Sequence, residues 1–247
     1  MKISNIILAV LIGGLALSMV VDIATSKMDG VNIEGVALSG KKATRTYETL
    51  ALKHLNVEGP IKVILSAGIP QLSIEADENL LDQLADGDED PETLSISLPS
   101  NMQNVGEIIA YLSTPTLETI SLSGSGSIET PDTLPYLHNT ITLNGNAHAN
   151  LSYSGAEFLR IAGSGGTSAS LSGTTEKLVA GLSGGNEIKA GELIAKVVEI
   201  NGSGSTNARV HADSILNFSA SGSSTLQYTG TPKVSFSSSG SGRMEAI

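Results

Sequence analysis

From Leu117 to Ile247 one short pattern returns seven times: alternating apolar residues lead into a glycine, a Ser/Gly/Asn-rich turn follows, and a second strand-like run begins. The pivot glycines are Gly124, Gly145, Gly163, Gly184, Gly202, Gly222 and Gly240, at spacings of 21, 18, 21, 18, 20 and 18. A fixed period of this size is the signature of a stacked repeat. Four residues before each pivot stand Ile120, Ile141, Leu159, Ala180, Val198, Phe218 and Phe236; two before stand Leu122, Leu143, Ile161, Leu182, Ile200, Ala220 and Ser238. More polar residues lie between them (Ser121, Thr142, Arg160), which gives the two-residue period of a half-buried strand.

A second inward row starts four residues after the pivot, at Ile128, Ala149, Thr167, Ile188, Thr206, Leu226 and Met244. Each copy is therefore strand, tight turn, strand. Such a unit cannot bury its apolar side alone, and coiling the chain so that each rung stacks on the last solves the problem. The expected fold is all-β: a single-stranded parallel β-helix, or β-solenoid, of about seven short rungs ~4.8 Å apart. Its inward residues are mostly Ala, Thr, Ser and single branched aliphatics, so the interior is expected to be narrow. A corner repeated in every layer needs positive φ or close backbone approach, which glycine permits.

Two residues after the pivot, Gly126, Gly165, Gly204 and Gly242 alternate with Ala147, Asn186 and Ser224. One coil is thus readable as a single copy of about 20 residues or as a pair of about 39. The glycines do not read as a phosphate loop, because no Lys-Ser/Thr pair and no helix signal follows any of them.

These strings resemble a known family. Ile120-Ser-Leu-Ser-Gly-Ser-Gly126, Ile161-Ala-Gly-Ser-Gly165, Ile200-Asn-Gly-Ser-Gly204, Ser239-Gly-Ser-Gly242 and Leu226-Gln-Tyr-Thr-Gly-Thr-Pro232 are similar to the putative autotransporter adhesin head GIN domain. The resemblance extends upstream through Thr44-Arg-Thr-Tyr-Glu-Thr-Leu50, Val57-Glu-Gly-Pro-Ile-Lys-Val63 and Ile74-Glu-Ala-Asp-Glu-Asn-Leu-Leu81, covering roughly Gly40 to Met244. It implies a bacterial envelope protein with a β-helical repeat and no assigned enzymatic activity. It carries over no catalytic residue, and no cofactor is expected.

Residues 1–26 read as an export signal: Lys2 precedes an uncharged apolar run from Ile6 to Val21, and Ala16-Leu-Ser18 offers the small residues a signal peptidase prefers. The alternative is an uncleaved anchor, for which the run is short of the ~20 residues a spanning helix needs. With no cysteine, the chain has neither a lipoprotein attachment site nor a disulfide framework. Residues 27–43 read as a linker and 44–116 as a small β-rich cap over the open end of the 117–247 repeats. Strand-like runs are expected at Thr46 to Val57, Ile61 to Leu65, Leu72 to Ala76, Leu94 to Leu98 and Ile108 to Leu112.

Nine acids and no base lie between Glu75 and Glu92. Asp86-Gly-Asp-Glu-Asp90 has the start of a calcium loop, but Pro91 and Ser97 stand where the turn glycine and the twelfth ligand belong. The segment reads instead as a helical turn capped by Asp77 and holding Leu80, Leu81 and Leu84, then a solvated acidic loop. From Lys27 the chain before the repeats has 14 acids against 6 bases, and the repeats have 10 against 7. No basic stripe is offered to nucleic acid or anionic lipid.

His54, His138, His148 and His211 occupy different phases of the pattern, which argues against zinc. Glu187, Glu199 and Lys189 are the charges readable as neighbours on adjacent rungs, yet no acid/base pair is assembled by the spacing. The function expected is an exported, non-catalytic envelope protein, an adhesion or scaffold module meeting a protein or glycan surface. A periplasmic binding or signalling partner is the competing class, and a carbohydrate-active enzyme the third. The chain ends at Ile247 with no translocator barrel after the repeats, and low-affinity end-to-end self-association through that edge is expected.

Overall fold

The computed structural model describes residues 38–47, 49, 51–86, 90–98 and 105–247. The export signal, most of the linker, and Asp88 and Glu89 of the acidic loop lie outside the described residues. The described residues form seventeen strands and one helical turn. Its first part contains β1 (Lys42–Tyr47), β2 (His54–Glu58), β3 (Ile61–Ser66), β4 (Gln71–Asp77), α1 (Glu78–Leu81), β5 (Ala85–Asp86), β6 (Thr93–Ser97) and β7 (Ile108–Ser113). The repeats contain β8 (Thr119–Gly124), β9 (Ser127–Glu129), β10 (His138–Gly145), β11 (His148–Gly165), β12 (Ser168–Gly184), β13 (Glu187–Gly204), β14 (Asn207–Gly222), β15 (Thr225–Thr229), β16 (Lys233–Gly240) and β17 (Arg243–Ala246). Among the described residues no helix is long and apolar enough to cross a membrane.

Every pairing within the repeats is parallel, and β11 to β14 each run one whole coil from corner to corner. The fold is a parallel β-solenoid. Its corners form one ladder, Gly124, Gly145, Gly165, Gly184, Gly204, Gly222 and Gly240, each opposite the next. All seven have φ between 76° and 138°. One coil is therefore a single copy of about 20 residues, not a pair.

The register also moves two corners. Sequence spacing puts the third and fifth at Gly163 and Gly202; the ladder puts them two residues on, at Gly165 and Gly204. Gly163 lies opposite Leu143 and Leu182, on the buried row. Gly202 lies likewise between Leu182 and Ala220. The second inward row shifts with them, so that Ala169 and Ala208 stand in line with Ile128, Ala149 and Ile188.

The alternation every 39 residues has a packing cause. Where the row before the corner carries Leu122, Leu143 or Leu182, the row after it carries Gly126, Ala147 or Asn186. Where the first row falls to Gly163 or Gly202, the second carries Thr167 or Thr206. A Cβ on Gly163 would stand 2.8 Å from Thr167 Oγ1, and one on Gly202 would stand 3.0 Å from Thr206 Oγ1. Where the first row is glycine, a threonine after the corner takes the space, so the layers differ in which side fills it.

The 44–116 segment is not a body apart. β2 pairs in parallel with β8, setting Leu55 against Ile120 and Val57 against Leu122, and β3 pairs with β9. Gly59, at φ 107°, forms the corner of this layer, and its N–H donates to Ser123 O. A further layer lies beyond it, since β6 pairs with β2 and β7 with β3. Layer order thus departs from chain order: the layer at 93–113 is outermost and that at 54–66 is slotted beneath it. The actual cap is antiparallel: β4 covers β7, β1 covers β4, and β5 covers β6.

The helical turn expected from Asp77 is present. Its Oδ1 accepts from Asn79 N–H, and Leu80, Leu81 and Leu84 are buried. Asp77 also accepts from the Ser39 and Gly40 N–H groups and the Ser39 hydroxyl. Desolvation pushes the carboxyl upward, but these donors together outweigh it and hold it below the ordinary aspartate range.

Large side chains enter the core at few places. Tyr153, fully buried, donates its hydroxyl to Asn139 Oδ1 (2.7 Å), and Asn139 Nδ2 donates to Leu117 O (2.8 Å). Tyr136 donates to Thr114 O (2.9 Å). Burial pushes both phenols upward, so they remain hydrogen-bond donors. Asn139 heads a row continued by Leu159, Leu178, Val198 and Leu216. The pattern of apolar periodicity passes over it, because its partner Tyr153 lies on the opposite side of the coil.

Candidate functional site

The parallel register converts sequence spacing into rows of outward side chains, one per layer. On the face before the corner these rows are Ser121, Thr142, Ala162, Gly181, Asn201, Ser219 and, one step on, Ser123, Asn144, Ser164, Ser183, Ser203, Ser221. These two rows are small and uncharged through the repeats; the row before them carries Arg160 and Glu199.

The face after the corner carries longer groups. Asn150, Ser170, Glu187, Lys189, Asn207, Arg209, Gln227 and Thr229 line an open groove of about 600 Å³. A bulge in β13, where the register with β14 slips between Ala190 and Ile194, shapes one wall. Gly191 sits in that bulge, and an added Cβ there would touch the Arg209 side chain at 3.4 Å. Asparagine and glutamine amides each offer donors and acceptors, and Arg209 adds a planar fork of donors. Such a set can hydrogen-bond hydroxyl-rich or peptide surfaces, and it is held on a rigid ladder rather than on loops.

The charges singled out in the sequence are not neighbours on adjacent rungs. Glu187, Lys189 and Glu199 all lie on β13. Lys189 pairs with Glu187 at 2.9 Å beside the groove, while Glu199 lies further along β13 and pairs with Lys177 at 2.9 Å. Lys196 holds Glu176 at 2.6 Å. Glu187, Glu199 and Glu176 are thus each matched to a cation, while Glu192 shares the groove with Glu187.

One alignment was not visible in the sequence. His211 Nδ1 lies 2.9 Å from Thr229 Oγ1, and its Nε2 lies 2.9 Å from Asp213 Oδ1. Hydroxyl, imidazole and carboxylate in line resemble a nucleophile, base and orienting group. The same cross-layer contact recurs at the far end of the molecule, where His54 Nδ1 meets Thr119 Oγ1 at 2.8 Å. Both pairs are ladder partners in successive layers, so the contact serves to fasten one layer to the next. Among the described residues no group of three metal-ligating side chains converges.

The glycines singled out in the sequence divide by position. Gly124, Gly145, Gly165, Gly184, Gly204, Gly222 and Gly240 make the corners; Gly163 and Gly202 lie inside before them, and Gly126 and Gly242 lie just after. None faces the groove.

The sequence profile of the family described as putative auto-transporter adhesin, head GIN domain, matches residues 51–232. Solved structures of similar fold include a putative adhesin from Bacteroides fragilis NCTC 9343, with 22% identity, 86% of this chain and 100% of that one covered, and a TM-score of 0.78. A putative lipid binding protein from Parabacteroides distasonis ATCC 8503 has 22% identity, 87% and 100% coverage, and a TM-score of 0.63. A putative adhesin from Parabacteroides merdae ATCC 43184 has 18% identity, 86% and 99% coverage, and a TM-score of 0.62. No curated protein matches the chain in sequence.

Proposed function

The chain belongs to the putative auto-transporter adhesin head GIN domain family, and from that membership we propose that it is an exported, non-catalytic binding module of the cell envelope. Its partner is a protein or glycan surface, met by the outer faces of the solenoid. The observation that carries this reading is the groove over the second face. There Asn150, Ser170, Lys189, Arg209 and Gln227 stand in one row, one from each of five successive layers of a rigid ladder, with Asn207 beside them. Such an array makes many individually modest hydrogen bonds at once, which suits adhesion to an extended partner better than turnover of a small one. The ion pairing of Glu176, Glu187 and Glu199 supports a binding role over a hydrolytic one.

Export rests on the N-terminal sequence, where Lys2 precedes the apolar run from Ile6 to Val21. Cell fractionation with protease shaving of intact cells tests it. The expected result is protein in the envelope fractions with an N-terminus between Met19 and Lys27, and degradation by external protease if it acts as an adhesin. Protein retained in the cytoplasm would overturn export. Mature protein shielded until the outer barrier is opened would assign it to a periplasmic partner instead.

A further inference from the structure

We propose that the chain self-associates tail to tail, the free edge of β16 and β17 pairing with the same edge of a second copy about a two-fold axis, with Phe236 opposite itself. This goes beyond the binding reading and does not depend on the partner that the groove meets.

The two ends of the stack are finished differently. At one, β4 and β1 pair over β7, and the outermost strand β1 carries Lys42 and Arg45, charges of the kind that discourage further strand addition. At the other, no described residue covers β16. Val234 and Phe236 continue rows in which Leu216 and Phe218 are buried, yet they are 36% and 41% exposed. The Phe236 ring stacks on Phe218 with centroids 5.4 Å apart and planes 10° off parallel, leaving its other side open to a further ring.

The backbone fixes how a second copy fits. Ser241 N–H donates to Gly222 O and Arg243 N–H to Ser224 O. In a parallel ladder residues bonded to one neighbour alternate with residues facing the other. The odd-numbered residues of β16 therefore turn toward β14, and Val234, Phe236 and Ser238 turn their N–H and C=O groups to the open side. Keeping apolar rows inward in both copies requires opposed residues of equal parity. Antiparallel pairing centred on Phe236 meets this requirement, sets Val234 against the second copy's Ser238, and lets each facing pair exchange two hydrogen bonds.

Charge favours the same partner. Residues 205–247 hold three bases (Arg209, Lys233, Arg243) against two acids (Asp213, Glu245), whereas the segment from Lys27 to Thr116 holds 14 acids against 6 bases. Tail-to-tail pairing joins near-neutral ends and keeps the acidic ends apart. Lys233, the one charge on β16, falls at opposite ends of the paired strands.

Sedimentation velocity over a concentration series tests the proposal. A monomer–dimer equilibrium is expected, with a dissociation constant raised at least ~tenfold by Phe236→Lys and unchanged by Ser219→Lys on the outer face. Because Phe236→Lys can also loosen the last layer, a second variant leaves the ring in place. The chain has no cysteine, and Ser235→Cys/Ser237→Cys sets each thiol opposite its counterpart within disulfide reach. Mild oxidation should then yield covalent dimers and nothing larger, with Ser219→Cys remaining monomeric. A strict monomer at every concentration, a dimer indifferent to Phe236→Lys, or an open series of larger oligomers would each overturn the proposal.

Discussion

Replacing Gly173 with alanine is expected to destabilise the protein by about 4 kcal/mol or more, placing it among the rare single changes that remove most of a domain's stability. Gly173 has φ 99°, and a Cβ there would collide with the carbonyl oxygen of Tyr153, in the adjacent layer. That atom cannot rotate away. The Tyr153 backbone would have to move, taking with it the buried hydroxyl that satisfies Asn139. The matched control lies on the same strand: Gly181 faces outward, and an added Cβ there would find nothing within 4 Å. Gly181→Ala should shift the denaturant midpoint by little, or raise it, since alanine costs less backbone entropy than glycine. Equal midpoints for the two variants would contradict the close approach of Gly173 to the Tyr153 carbonyl.

The next largest effect concerns the corner ladder. Gly204→Val is expected to cost more than ~2 kcal/mol, because it combines positive φ with a Cβ 2.7 Å from Gly184 O. Ser219→Val, on the exposed face, should fall within ~0.5 kcal/mol of the parent. Gly202→Ala separates the two kinds of glycine. Its methyl would meet side chains, Thr206 Oγ1 at 3.0 Å and Ser224 Oγ at 3.2 Å, rather than backbone. Thr206→Ala should therefore relieve Gly202→Ala in a double-mutant cycle, whereas no neighbouring truncation should relieve Gly204→Val.

That contrast also explains what the sequence could disclose. Strand, turn and strand were readable because inward residues alternate and corners need glycine, and both requirements act locally. The corner itself was ambiguous in Gly163-Ser-Gly165 and Gly202-Ser-Gly204, where two glycines stand two residues apart and serve different ends. One supplies positive φ, the other makes room for Thr167 or Thr206, and only the inter-layer register distinguishes them. The N-terminal layers were legible as strands but not as part of the stack. Their order, with 93–113 outside 54–66, is set by pairings between segments distant in sequence. Tyr153 with Asn139, and His211 with Asp213 and Thr229, join residues whose proximity depends on coil length and bends. The groove likewise arises from a bulge in β13 that leaves no local pattern beyond Gly191.

The claim that the solenoid binds without turnover is tested most directly by incubating the purified chain with envelope and host polysaccharides and measuring, on the same samples, bound ligand and newly formed reducing ends. The expected result is saturable retention weakened by Arg209→Ala or Asn207→Ala, with the ligand recovered at its original length. New reducing ends that accumulate with time and disappear in His211→Ala would contradict it and make the Asp213, His211 and Thr229 alignment a catalytic one.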